Sequence, residues 1–534
     1  MVEPYPLAER IWQLAYLYQE WYYWVTVIVM FLIHVGFCTY EVGVSRRKNV
    51  GHTLMKNAML FPLIIFTFYI FGWWVYAAFS GPHWSTFLIP GQYPEIVDPA
   101  DYAPWSPLMT THMQDHFMLA FWAAFLLFSL TEGSILSGAV IERCRVGAFL
   151  LMSVFLGSFV WIWLASQAWS PWGWTVKYFG SHDAYASGII HTIAGWYTLG
   201  VLINLGPRIG RFDEKGNPRD VPLHNQWLTC IGLFLIYTGF WGFYFACNIP
   251  TALAWDPTME MSYWGTVNIY GNPTSNSAIG TNFLLSLTGG FMGGFFASKG
   301  NPFWIFSGGL AGVIAASAGN DLYHPMQAFL LGFITIPIIY KLHYWVEKRF
   351  KIDDAVGACA VHGYSGVLGL IYAGILLWGY PAGGGPLGFD ELQGVTTPWG
   401  NFMLAVWEAG WAFLFGFGAS WIFKKLGLLR VPPLVELAGL DIASPAVGEM
   451  YPYFPPYRPE DFSEIDKVQG IEAHRILLKA KQGSKPGRNL LLNINAYSKD
   501  TGRKDYLGVP SPEDLIKDAI RLQKEFEERG ELRW

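Results

Sequence analysis

Asp183-Ala-Tyr-Ala-Ser-Gly-Ile-Ile-His191, followed by Thr-Ile-Ala-Gly195, reads like a copy of Asp354-Ala-Val-Gly-Ala-Cys-Ala-Val-His362, followed by Gly-Tyr-Ser-Gly366. Each stretch is an aspartate, a histidine eight residues later and a glycine four beyond that, opening a long apolar run. On a helix, eight residues rise ~12 Å. With each Asp near a membrane surface, each His lies well inside a hydrocarbon core ~30 Å thick. Two such helices entering from opposite sides bring their imidazoles to nearly the same depth. That is the geometry of a pore with a paired-imidazole centre.

The remainder of the chain is built for lipid. Hydrophobic residues make up 52% and charged residues 14%, and several apolar runs are long enough to span a bilayer. The net charge of -5 and the lack of a basic stripe argue against a nucleic-acid partner. Cys38, Cys144, Cys230, Cys247 and Cys359 fall in or beside apolar spans without metal spacing. They read as free thiols, with no disulfide framework and no metal or cofactor site. The first apolar stretch, Trp21 to Cys38, is too long for a signal-peptide core and has no small-residue cleavage site after it. It is expected to remain as a span.

Hydropathy predicts an all-α polytopic membrane protein of about 11 transmembrane helices, near 20–43, 54–79, 113–137, 147–168, 184–206, 226–248, 276–298, 303–319, 326–345, 355–379 and 400–424. Alternate loops carry the cations: Arg46, Arg47 and Lys48; Arg143 and Arg145; Arg208, Arg211, Lys215 and Arg219; Lys299; Lys341, Lys348, Arg349 and Lys351; Lys424, Lys425 and Arg430. The intervening loops hold only Lys177, with Arg10 before the first span. The positive-inside rule then puts the N-terminus outside and the C-terminus in the cytoplasm of a cell whose plasma or inner membrane houses the protein. Spans one to five and six to ten become two inverted five-helix repeats plus one extra helix, because an odd repeat inverts on its second copy. The Asp/His stretches fall on the fifth and tenth spans, the opposite-entry arrangement, with a site at the repeat interface.

Glycines at 289, 290, 293, 294, 308, 309 and 312 read as close helix packing. The outer loops, especially 80–112, 249–275 and 380–399, are rich in Pro, Gly, Trp and Tyr and are expected to form a cap with interfacial aromatics. Composition changes after Arg430, which divides the chain into a transmembrane domain, 1–430, and a cytoplasmic tail, 431–534. Ser511-Pro-Glu-Asp514 reads as a helix start, and Leu515, Ala519, Leu522 and Phe526 follow as one apolar stripe. That amphipathic helix is expected to pack on the membrane domain or on a partner, or to be an ordinary surface helix.

Five stretches, in order, resemble the ammonium transporter (Amt/Mep/Rh) superfamily, its Amt branch more than its Rh branch, over residues 20 to 450. They are Gly138-Ala-Val-Ile-Glu-Arg143, Trp169-Ser-Pro-Trp-Gly-Trp174, the two Asp/His stretches, and Leu429-Arg-Val431 with Gly439-Leu-Asp441 and Gly448-Glu449. The resemblance implies a homotrimer with one pore through each subunit. It also implies a cation-binding aromatic at Trp169, two stacked gate phenyls at Phe128 and Phe243, twin pore histidines at His191 and His362, and a vestibule acid at Asp183. The outer ammonium site would include Cys247, standing where the family usually has serine, and Phe240, standing where it has tryptophan. Tyr244 replaces the usual Asn, Gly357 replaces an acid five before the second histidine, and the tail lacks the His of the family's His-Gly-Glu. Family members are often regulated by PII-type proteins at the cytoplasmic exit, a partner the resemblance extends to this chain.

The function this implies is ammonium or ammonia transport through a hydrophobic pore. Each neutral imidazole has one donor and one acceptor nitrogen, so two can hold a proton relay while ammonia takes a dry path past the phenyls. Asp183 and Asp354 also fit as helix N-caps, and Glu142 beside Arg143 as a structural loop pair. An enzyme is excluded by the lack of a Cys/His metal set, a phosphate loop or a nucleophile triad. Two rivals stay open: an Amt-like ammonium sensor signalling through the long tail, and a scaffold subunit docking through it.

Overall fold

A run of Leu, Ile, Val and Phe in lipid meets its backbone hydrogen bonds only by coiling into a helix, and helices dominate the chain. The computed structural model describes residues 7–443, except 82–84, 86–97, 111–116, 171, 222, 252–254, 257–260, 263–264 and 383–393, together with 512–531. Eleven long helices occupy the eleven stretches that hydropathy marks: α1 Leu7–Val44, α2 Arg47–Phe79, α3 Phe117–Ala139, α4 Val146–Ala168, α5 Ser187–Leu205, α6 Gln226–Ala246, α7 Asn276–Ser298, α8 Pro302–Ser317, α9 Pro325–Phe350, α10 Cys359–Leu376 and α11 Pro398–Lys425. Among the described residues, nine of these are long and apolar enough to cross a membrane. The other two are α7, whose apolar run is diluted by Gly, Ser, Thr and Asn, and α8, with only 16 residues.

Large apolar side chains sit on the outside of the bundle as well as inside it, among them Trp21, Ile28, Phe66, Phe159, Phe296 and Trp345. In water such a surface would aggregate; facing acyl chains it costs nothing. Where helices pack on one another, small residues set the distance. A Cβ on Gly290 would lie 2.3 Å from the Gly308 carbonyl oxygen, and one on Gly289 would lie 2.1 Å from that of Phe329. Glycine therefore brings α7 against α8 and α9, as its density in this region suggests.

At the end where the cations gather, the loops are knitted by buried charge. Arg46 and Arg208 meet Glu142, and Arg208 grips Asp353 with both its Nε and a terminal nitrogen at 2.8 and 2.9 Å. Arg143 donates to the carbonyls of Gly206 and Asp353. Glu142 and Arg143 are therefore structural, but each finds its partners elsewhere; Glu142 has a left-handed backbone (φ 71°) that splays it from its neighbour. Burial alone would raise the Glu142 carboxyl, yet the Arg46 and Arg208 charges hold it down at about 2. Burial opposes ionisation of Asp353 too, and Arg208 and Arg143 overcome it, keeping that carboxyl well below the usual range.

Beyond α11, α12 Pro433–Ala438 and α13 Leu440–Ala443 return along this charged end, where the Asp441 carboxylate accepts from the backbone N–H groups of Gly51 and His52 at 2.8 and 2.7 Å. The sequence stripe of the tail forms α14, Pro512–Glu528. Its Leu515, Ala519 and Leu522 pack on Ile209, Leu434 and Leu437, and the Arg430 guanidinium lies over the Phe526 ring. The helix thus docks on α12 and on the loop that follows α5. Ser511, Gly448, Glu449 and the Pro-rich run Tyr451–Pro459 lie outside the described residues, as do large parts of the outer loops. Within those loops, Asn248–Thr251, Gly265–Asn268 and Pro273–Thr274 form a small antiparallel sheet.

Candidate functional site: a paired-imidazole centre

The two copied stretches fold alike. The Asp183 carboxylate accepts from the amides of Ser187, Gly188 and Ile189 at 2.7, 2.8 and 2.9 Å. That of Asp354 accepts from Ala358 and Cys359 at 2.9 and 2.7 Å. Both acids cap the helix that follows, satisfying donors its start leaves open. Burial raises the Asp183 carboxyl to about 6, against the pull of its three amide donors. Five residues before each histidine the backbone turns left-handed, at Ala186 (φ 71°) and Gly357 (φ 69°). Glycine does this freely; alanine does it at a cost that the surrounding packing holds in place. Each histidine then sits in a π-helical turn, Ser187–Thr192 or Cys359–Tyr364, a widening found at functional positions more than elsewhere.

The two turns cross almost in backbone contact. A Cβ on Gly195 would lie 2.2 Å from the Gly363 nitrogen, and one on Gly366 would lie 2.8 Å from the Thr192 nitrogen. The contact is reciprocal: the residue four after each histidine meets the residue one after the other.

At the crossing, Nδ1 of His362 lies 3.1 Å from Nδ1 of His191, with ring centroids 5.2 Å apart and planes at 36°. His191 is fully buried and His362 is 4% exposed. An Nδ1 to Nδ1 hydrogen bond needs one donor and one acceptor, so two neutral rings in this contact are of opposite tautomers. One presents a bare Nε2 and the other an Nε2–H. Nε2 of His191 has no partner among the described residues.

Rings line up on one side of this pair. Phe243 and Phe240 stack on His191, each with its centroid 5.9 Å away. Phe128 meets Phe243 edge to face, 4.7 Å between centroids at 82°, rather than stacked. Trp169, fully buried, follows 4.9 Å from Phe128. On the other side Phe37 lies 6.3 Å from His362, and a narrow cavity lined by Phe37, Ser134, Ile135, Leu310, Val361 and His362 continues beyond it. Trp169, Phe128, Phe243, His191 and His362 therefore form one column. Phe240 belongs with His191 rather than with Trp169. The Cys247 thiol lies 3.3 Å from the Phe243 carbonyl oxygen, and Asp183 spends its oxygens on the cap.

Further residues pack around the column. The Tyr270 hydroxyl ties the Ala168 carbonyl to the backbone of Asp183. Tyr185 and Tyr244 stack at 4.9 Å and 5°, and the Tyr244 hydroxyl meets Ser317 and Asn320 at 2.6 and 3.0 Å. Glu132 and Glu408 lie buried inside α3 and α11; as rare acids within apolar runs they were visible in the sequence. Among the described residues no group of three His, Cys, Asp or Glu is placed to hold a metal ion.

Known proteins share this architecture. The chain is 30% identical over 442 residues to the ammonium transporter Amt2 of Archaeoglobus fulgidus, covering 80% of this chain and 86% of that one. It is 28% identical to ammonium transporter 1 member 3 of Solanum lycopersicum, covering 78% of this chain and 89% of that one. Among solved structures, one titled a sensor Amt protein superposes with a TM-score of 0.63 at 22% identity, over 80% of this chain and 98% of that one. The Rh50 protein of Nitrosomonas europaea superposes at 0.54 and 18% identity, over 88% of this chain and 99% of that one. The family model described as the Ammonium Transporter Family matches residues 20–448; with the twin imidazoles and their repeated caps, it establishes that this chain is a member of that family, on its Amt branch.

Proposed function

We propose that the protein moves ammonium nitrogen across its membrane through a hydrophobic pore lined in each subunit by His191 and His362. The observation that carries this is the 3.1 Å contact between their Nδ1 atoms, made by two buried rings from helices far apart in the chain. Taking an unpaired ion into hydrocarbon costs on the order of tens of kcal/mol, so hydration must first be offset. Trp169 can do this through its ring face, at roughly 1–2 kcal/mol once desolvated, helped by Cys247 and Asp183 nearby. Phe128 and Phe243 then exclude water and the alkali cations, which have no proton to shed. Ammonia passes the phenyls neutral. The proton uses the imidazoles: one lands on the bare Nε2, the shared Nδ1 proton shifts across, and another leaves from the far Nε2–H. One proton has then crossed and both tautomers are reversed. The chain is a transporter, not an enzyme.

The same reading places eleven spans in two inverted five-helix repeats, with one extra helix. The reciprocal crossing at Gly195 and Gly366 supports the inversion. The clustering of Arg46, Arg143, Arg208 and Arg430 at one end supports a cytoplasmic C-terminus and an outside N-terminus. The domain division, 1–430 and 431–534, three subunits per assembly and a PII-type partner at the cytoplasmic exit belong to the same proposal. The decisive experiment is ammonium-elicited current and uptake in proteoliposomes. Replacing His191 and His362 by Ala abolishes the current; unchanged current and uptake would refute the relay.

A sensor is the second reading. What favours it is α14 docked across the cytoplasmic loops and the likeness to a structure titled a sensor Amt protein. Ammonium binding without current would decide for it, and copurification of a stoichiometric partner would decide for a scaffold.

A further inference from the structure

Beyond the imidazole pair, on the side away from the stacked phenyls, the path continues into the narrow cavity that His362 lines. The space open there to the centre of a water-sized molecule is about 20 Å³, where one such molecule needs about 10–15 Å³. Ammonia is of that size. Most of the wall is apolar, with Ile135, Leu233, Ile236, Leu310 and Val361, and none of its residues is an acid or a permanent cation. The polar side chains on it are His362, Ser134, Ser307 and Tyr40. A neutral guest that both donates and accepts suits such a wall better than an ion does.

The two serines reach the cavity from different helices, Ser134 from α3 and Ser307 from α8, and each is 2% exposed. The Ser307 hydroxyl has no partner at normal hydrogen-bond distance among the described residues, although the Tyr40 phenol faces it. That phenol reaches the Val356 carbonyl only at 3.5 Å. Ser134 has one partner, Nδ1 of His34 on α1, at 3.3 Å. His34 is itself buried, off the cavity wall, with the rings of Phe31 and Phe61 against it at 6.2 and 5.5 Å. A hydroxyl has one proton to give and two lone pairs. Whichever group supplies the proton between His34 and Ser134, Ser134 keeps at least one lone pair for an N–H in the cavity. The Ser307 proton is free for a nitrogen lone pair.

We propose that Ser134 and Ser307 form an exit site for ammonia on the far side of the imidazole pair, and that His34 is the positioning residue that fixes the Ser134 hydroxyl. The proposal rests on the transport reading above and leaves the proton on its route through His191 and His362. No covalent bond is made or broken at the site. Ammonia gives an N–H to Ser134, accepts from Ser307, and leaves neutral. Without the hydroxyls it crosses the same space with its hydrogen bonds unmade, a cost that slows exit and does not touch uptake at Trp169.

The test uses the full-length chain in proteoliposomes: wild type, Ser134→Ala, Ser307→Ala, the double variant, the hydroxyl-keeping Ser134→Thr, and His34→Leu beside His34→Asn. Saturating ammonium current is separated from the concentration that gives half of it. Nitrogen NMR spectra of the imidazoles are taken at one pH with ammonium chloride or sodium chloride. The expected result is a saturating current about two- to tenfold lower in each alanine variant and in His34→Leu, and lower again in the double variant. The half-saturating concentration stays that of the wild type, the serine variants melt with it, and Ser134→Thr and His34→Asn recover current. In the wild type, ammonium and not sodium shifts the His34 signal, identified by its loss in His34→Asn, and Ser134→Ala abolishes that shift. Unchanged saturating current in the double variant overturns the proposal. So does a His34 signal that answers both salts alike, which means a cavity holding water only, or a current that falls only in step with the thermal midpoint. Should His34→Leu not fold, the serine variants decide by the same criteria. A wild type without ammonium current removes the transport reading, and the NMR shift alone then decides whether the site binds ammonia.

Discussion

At the scale of single residues, charge buried in the cation-rich loops sets the acid limit of the fold. Glu142 is held at about 2 in the folded protein against an ordinary 4.5, in the contacts of Arg46 and Arg208. A depressed carboxyl contributes stability that is complete above its ordinary value and is lost as the pH falls towards its folded value. Thermal unfolding followed from neutral pH through 4.5 towards 2 should therefore show a falling midpoint, and Glu142→Gln should flatten that limb. At neutral pH, Glu142→Ala leaves Arg46 and Arg208 without their acid and should cost roughly 3–5 kcal/mol. The role of the paired histidines is tested by current rather than by melting.

Among elements, the cap and the crossing of α5 are where a small change travels furthest. Asp183 satisfies three amides at once, so Asp183→Ala should destabilise the start of α5 by about 1–2 kcal/mol. Because that turn aims His191 at His362, the same variant should lose ammonium current more steeply than it loses melting temperature. Gly195→Ala places a methyl 2.2 Å from the Gly363 nitrogen. Backbone cannot yield as a flexible side chain does, so α5 and α10 must part. A loss of about 1–3 kcal/mol is expected in thermal melts, with the imidazole contact broken and the current gone. Substitution at Gly410, where a Cβ meets nothing within 4 Å, provides the control that should leave both readouts in place.

For the molecule as a whole, the tail is the part whose purpose transport alone does not require. Leu515 and Ala519 are buried against Ile209, Leu434 and Leu437, and Arg219 reaches Asp514 at 3.5 Å. Leu515→Asp puts a charge into this small apolar seat and should release α14, seen as faster proteolysis of the C-terminal segment. If the protein is a transporter whose tail merely docks, ammonium current should persist in that variant. If the tail transmits a signal, binding of ammonium should instead change the proteolysis rate of the wild type and not of the variant.

Length and hydropathy alone determined the helices, because a long unbroken apolar run in lipid satisfies its own backbone only by coiling. The repeated Asp, His and Gly, eight and four residues apart, likewise announced a paired centre, since their spacing fixes depth along a helix. What the chain could not announce was lateral position. That Phe240 stacks on His191, that the two gate phenyls meet edge to face, and that Glu142 and Arg143 turn from each other all follow from which helix faces which. Hydropathy gives a residue its depth, and only tertiary packing gives it a neighbour.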